Sequence, residues 1–113
     1  MSRILLAIAA LGLSAGITMA DPIEGTFKRP NGILVKIAGC GGSFCVTAAS
    51  GPHAGGSAGK LAPAGDGKYK GTLTELETGK TYTGKASISG GTLSVAGCVL
   101  AGLLCRSEAW VRQ

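Results

Sequence analysis

Large side chains are scarce in this chain. It has one Trp (Trp110), two Tyr and two Phe among 113 residues. So thin a stock cannot fill the core of more than one small domain. Small domains bury a smaller fraction of their surface, so covalent staples help more. Histidine occurs once, at His53, with no second ligand near it. A general base or a metal site needs partners, and none can be named. The expectation is therefore no enzyme, no metal and no cofactor, and His53 reads as a solvated loop residue. No C-x-x-C motif is present, which sets aside dithiol redox chemistry. Proline is absent after Pro63, so the second half is free to run as uninterrupted strands. Two Gly-Lys steps, at Lys60 and Lys80, fail the phosphate-loop pattern: the first precedes Leu61, and the second lacks the leading Gly.

The one long apolar run lies at the start. Arg3 precedes the stretch Ile4 to Leu13, and Thr18-Met19-Ala20 offers small residues at the two positions a signal peptidase inspects. Residues 1–20 read as a secretory leader cleaved after Ala20. As a membrane span the run is marginal, because Gly12, Ser14 and Gly16 interrupt it short of the roughly 20 residues required. The expected mature chain, 21–113, is one domain in the periplasm or secreted, with no stable membrane anchor. Loss of Arg3 lowers the formal net charge from +5 to +4. That balance raises an anionic envelope polymer, a lipid headgroup or nucleic acid as partner. The lysines are spread along the chain with no interleaved aromatics, so nucleic acid is not expected.

The cysteines form two close pairs, Cys40/Cys45 and Cys98/Cys105, with four and six residues between partners. Zinc pairs are usually two to four residues apart, and export favours oxidation, so both pairs read as disulfide cysteines. Four cysteines allow three connectivities. Local pairing is favoured and would pin turns. The long-range alternatives would stabilise more, but they need segments 40–45 and 98–105 to be neighbours.

Outside the leader there is no helical periodicity, and period-two alternation recurs instead. Ile33, Val35 and Ile37 share one face, as do Phe44 and Val46. Tyr69, Gly71 and Leu73 alternate with lysine and threonine. Tyr82, Gly84, Ala86 and Ile88 alternate with small polar residues and Lys85, and Gly90-Gly91 then marks a hairpin. Leu93 and Val95 follow, and a last strand runs over Cys105–Arg112. Residues 50–67, rich in Gly, Ala and Pro, read as a long loop with one weak turn at Gly59-Lys60-Leu61. The expected fold is all-β, a small antiparallel meander of about seven strands closing into a barrel.

The segment Gly79 to Arg112 resembles a bacterial family of small exported proteins, domain of unknown function 2147. The matching elements are Gly79-Lys80-Thr81-Tyr82-Thr83-Gly84-Lys85, Leu93-Ser94-Val95 with Gly97-Cys98, and Leu104-Cys105-Arg106 with Trp110 and Arg112. Ile23-Glu24-Gly25-Thr26-Phe27 and the Cys40…Phe44-Cys45 turn resemble the family's first half. Phe27 and Tyr69 stand where the family usually has Trp. The resemblance implies a calycin-like, lipocalin-like barrel, a fold that carries small apolar ligands.

Arg106, Glu108, Trp110 and Arg112 fall on one face of the last strand. If that face points inward, two guanidiniums can grip a carboxylate or phosphate. The competing reading is structural: in calycin-like barrels a late Arg stacks on the opening-strand aromatic, here Arg112 on Phe27. Tyr69 and Tyr82 are further candidate lining residues, against the plainer reading that they are packed. The expected function is non-catalytic binding of a small apolar or amphipathic ligand, anionic ones included, through Tyr69, Tyr82, Arg106, Trp110 and Arg112. The alternative is an envelope structural or protein-interaction module whose interior is filled by its own side chains.

Overall fold

The computed structural model describes residues 22–100 and 103–113; the expected leader lies outside them. Eight strands follow one another: β1 (Gly25–Lys28), β2 (Leu34–Cys40), β3 (Ser43–Ala48), β4 (Ser57–Gly65), β5 (Lys68–Glu75), β6 (Lys80–Ser89), β7 (Thr92–Val99) and β8 (Leu104–Arg112). Each pairs antiparallel with the next, and β8 returns to β1, closing the barrel. Closure leaves no full-length free edge, which is how up-and-down sheets avoid edge-to-edge aggregation.

The strand expected as a loop is β4. Segment 50–67 is not one long connection, and Gly59-Lys60-Leu61 is not a turn: these residues lie mid-strand, paired with β3 on one side and β5 on the other. Alternation is hard to see there because Leu61, fully buried, is the only large apolar residue. Gly59 and Gly71 are small for a reason. A Cβ at either position would collide with backbone of the neighbouring strand, the Thr72 carbonyl for Gly59 and the Lys60 carbonyl for Gly71. Pro63 is tolerated because it lies beyond the β3 pairing and beside a bulge against β5.

Both cysteine pairs are local. Cys40 joins Cys45 across the β2–β3 turn, and Cys98 joins its direct cross-strand partner Cys105. Antiparallel order puts the β1–β2, β3–β4, β5–β6 and β7–β8 connections at one end, the mouth. The other three turns and the chain's return to Pro22 lie at the opposite end, the floor. The disulfides therefore sit at opposite ends, Cys40–Cys45 at the floor and Cys98–Cys105 at the mouth.

The floor half is solid. Phe27, Ile37, Leu61 and Leu93 are fully buried, and the Phe44 and Tyr69 rings meet edge to face at 5.9 Å between centroids. Arg112 closes it. Its guanidinium lies 4.7 Å above the Phe27 ring centre, and it donates to the Glu24 carbonyl at 2.8 Å and to the Pro22 carbonyl. Gly25 makes room for it: at φ +140° it adopts backbone that L side chains rarely occupy, and a Cβ there would meet Arg112 Nη1 at 2.6 Å.

Candidate functional site

The mouth half holds a cavity of about 360 Å³. Its emptiness begins with glycine. Gly71, Gly84 and Gly97 are direct cross-strand partners on β5, β6 and β7, a row of three inward positions without side chains. The residues beside the row lean across it. Leu73 lies over Gly84, where an added Cβ would meet Leu73 Cγ at 2.8 Å. The Tyr82 ring lies over Gly97, with its Cγ 3.5 Å from where a Cβ would stand. Large side chains laid sideways over glycine leave the barrel axis open above Val95 and Trp110.

One wall is held by an ion pair. The strand β1 ends at Lys28, so only Phe27 and Lys28 pair with β8, opposite Arg112 and Val111. The upper part of β8 runs on past the end of β1. Arg29 bridges this short seam from the β1–β2 turn. That turn is closed by Arg29 N–H to the Ile33 carbonyl, and by Gly32 at φ +88° donating back to the Arg29 carbonyl, each at 2.9 Å. Arg29 Nε and Nη2 each donate to a different oxygen of Glu108 at 3.0 Å. Trp110 Nε1 donates to Glu108 Oε1 at 2.8 Å, and the Arg29 guanidinium lies 5.9 Å from the Trp110 ring centre. The bond to Arg29 holds the Glu108 carboxyl below its ordinary pKa, more than burial raises it, with help from Trp110 and the charge of Arg106. The same bond holds the Arg29 guanidinium above its ordinary value.

The two charges thus answer each other, and the cation left at the rim is Arg106, exposed and lining the mouth. The lower wall is apolar, from Val35, Ala58, Leu73, Val95 and the Trp110 ring. Glu75 also borders the opening, where its carboxylate accepts from Thr78 Oγ1 at 2.8 Å. Among the described residues no group of three or more His, Cys, Asp or Glu is placed to hold a metal ion.

Three of the five residues expected at a site meet here: Tyr82, Arg106 and Trp110 line the cavity. Tyr69 packs in the floor half against Phe44, and Arg112 caps the floor; neither lines it. His53 is an exposed residue of the β3–β4 connection. Arg29 had no sequence signal, since its partner lies 79 residues away. Glu108 had one, because a carboxylate on an inward strand face requires a cation. Strand pairing also gathers lysines that look dispersed in sequence. Lys70 stands directly opposite Lys85, and with Lys68 they border a shallow groove on the outer wall among Ser87, Ser94 and Ser107.

No curated protein and no solved structure matches the chain. A family model does, over residues 57–112, the whole of β4 through β8. That span carries the glycine row, Tyr82, Arg106, Glu108 and Trp110, and omits Arg29 and the first disulfide. Over those residues the chain belongs to the family described as uncharacterized protein conserved in bacteria, DUF2147.

Proposed function

We propose that the barrel binds one small amphipathic molecule, apolar tail inward and anionic head at the rim, without catalysing a reaction on it. The observation that carries this reading is the cavity itself. At about 360 Å³ it falls at the small end of ligand pockets, which run from about 300 to 1,000 Å³. It has room for about a dozen carbon-sized groups at roughly 30 Å³ each. Its depth offers hydrocarbon contact, and the charges within it are already paired. Arg106 is the group free to meet a carboxylate or phosphate, and Tyr82 stands beside it with a phenol that can donate. The two disulfides suit an oxidising, extracellular-type environment, so the ligand is one met outside the cytoplasm.

The alternative, a module that binds nothing in its interior, has one observation in its favour. Arg29, Glu108 and Trp110 satisfy one another without a ligand. The two readings separate in a melting experiment with decanoate and decanol. Ligand binding predicts stabilisation that grows with concentration, about 2.7 kcal/mol at a hundredfold excess over Kd, larger for the carboxylate. Gly97→Leu, which places a side chain in the cavity, should abolish the effect. Gly97→Ala, whose Cβ makes ordinary contact with Tyr82, should preserve it. No shift with either amphiphile, and no co-purified ligand by native mass spectrometry, would leave the interaction-module reading standing.

A further inference from the structure

The tip of the β7–β8 hairpin carries four exposed apolar side chains. Val99 is 38 % exposed, Leu100 65 %, Leu103 84 % and Leu104 58 %. They are the large hydrophobic residues most exposed to water on the described surface, apart from Val111. The Cys98–Cys105 disulfide ties the hairpin directly beneath them, so the tip cannot fold back to bury them by opening the strands. No ionisable residue lies between Cys98 and Cys105, and the first one after it is Arg106.

Leu100 is the informative residue. It sits at φ +54°, the left-handed region that glycine and asparagine occupy with ease and a bulky side chain does not. The backbone there and the exposure of the side chain both disfavour leucine. Either glycine or asparagine would relieve both, so the fold does not account for this choice. A strained residue kept against local preference points to a role outside the fold.

We infer that this tip inserts into the surface of a lipid bilayer and seats the barrel mouth on it. Three observations choose a bilayer over another protein. The exposed area of the four side chains is on the order of 400 Å², a patch of functional size but about half the ~800 Å² each partner gives to a stable protein interface. The order along the hairpin, apolar tip first and Arg106 behind it, is the depth order of acyl chains and phosphate headgroups. And Val99 and Leu104 also line the cavity, so the apolar surface of the tip runs on into the cavity wall. The inference concerns docking alone and holds whether or not the cavity is filled.

The test compares the disulfide-bonded wild type with Leu100→Asn/Leu103→Ser, both carrying the same N-terminal segment, in flotation with vesicles of phosphatidylcholine and phosphatidylglycerol. The variant should bind at least tenfold more weakly. Its melting temperature should hold or rise by a few degrees, because Asn suits the left-handed position. A Leu103→Trp protein should gain a blue-shifted emission on vesicles that brominated lipid quenches more strongly than it quenches Trp110 of the wild type. Equal vesicle binding by wild type and double variant would overturn the inference. So would a concentration-dependent dimer in the wild type that the double variant lacks, since a second copy would then be what covers the tip. Tip-dependent vesicle binding without ligand uptake would overturn the cavity reading and leave this one intact. Ligand uptake from solution without tip-dependent vesicle binding would do the reverse.

Discussion

Removing the Arg29–Glu108 pair one partner at a time, and then both, tests whether the mouth is held by charge. The pair is bidentate with both bonds at 3.0 Å, and its side chains are 23 % and 31 % exposed. A hydrogen bond to a charged group contributes about 1.5–3 kcal/mol in a buried setting, and an exposed ion pair about 0–1 kcal/mol. A half-buried fork lies between. Arg29→Met leaves the Glu108 carboxylate with only Trp110 as donor and should cost about 2 kcal/mol. Glu108→Gln keeps one oxygen, which can accept from Trp110 Nε1 and Arg29 Nε as Oε1 does, but loses the acceptor for Arg29 Nη2, and should cost about 1 kcal/mol. The double variant leaves no charge unpaired and should cost little more than Arg29→Met alone, so the coupling energy is about 1 kcal/mol. In a domain of this size Arg29→Met should lower Tm by about 10 °C.

The pH dependence has a definite sign. The folded Glu108 carboxyl titrates below its ordinary value because Arg29 favours its charged form. Its contribution is therefore complete above the ordinary carboxylate pKa and is lost as pH falls through the depressed folded value, while Arg29 stays charged throughout. Denaturant unfolding of the four proteins, disulfides intact, should give the full coupling at pH 7 and a progressively smaller one as pH is lowered below the ordinary carboxylate range. A coupling below about 0.3 kcal/mol at pH 7, the usual limit of additivity for independent sites, would refute the role assigned to the pair. A coupling unchanged in acid would show that charge is not its basis.

Gly25→Ala forces a Cβ onto Arg112 at a φ that alanine resists; it should cost about 1–3 kcal/mol, read as a lower denaturation midpoint. Gly71→Ala drives a Cβ into the Lys60 carbonyl, which cannot yield without bending β4, and should cost more than Gly25→Ala in the same measurement. Arg112→Met should lower Tm and leave amphiphile affinity nearly unchanged, because Arg112 bonds to the Pro22 and Glu24 carbonyls. Arg106→Met should do the opposite, weakening decanoate and sparing decanol. Across a series of straight-chain carboxylates, calorimetric affinity should rise by about 0.8 kcal/mol per added CH₂ and level off near ten to twelve carbons; a rise that continues unbroken to sixteen would mean that the tail lies outside the cavity.

What could be read from residues alone follows the range over which each feature is specified. The faces of β2 and β6 are local. Val35 and Ile37, or Tyr82, Gly84 and Ala86, declare themselves within a few positions, and so do the two disulfide turns. The strand β4 is not local. Its Gly, Ala and Pro residues look like a loop, and it forms because β3 and β5 both require a partner there. The site divides the same way. Arg106, Trp110 and Arg112 do share a face, but six residues of strand at about 3.3 Å each separate the two arginines by roughly 20 Å, which sends one to the rim and the other to the floor. Tyr69 and Tyr82 separate likewise, since Tyr69 pairs with Ala86 while Tyr82 pairs with Leu73. The glycine row is invisible in sequence, because it exists only once β5, β6 and β7 are in register.

The placement of charge decides how a ligand would sit. At the floor Arg112 is held against the buried ring of Phe27 and donates to two backbone carbonyls, outside the cavity. Halfway up, Glu108 would repel an anionic head, but Arg29 and Trp110 neutralise it while leaving the indole ring as wall. A head drawn to that depth would have to break a bidentate pair to gain one contact, and it would lose its water as well. At the rim Arg106 keeps its hydration and has no such partner to break, so an anion gains most there. On the proposed reading, the polar end of a ligand would stay at the mouth, with the tail between Leu73, Val95 and Trp110. That orientation would bring the head to the level of Arg106, behind Leu100 and Leu103, where a bilayer entered by the tip would present the headgroups of its own lipids.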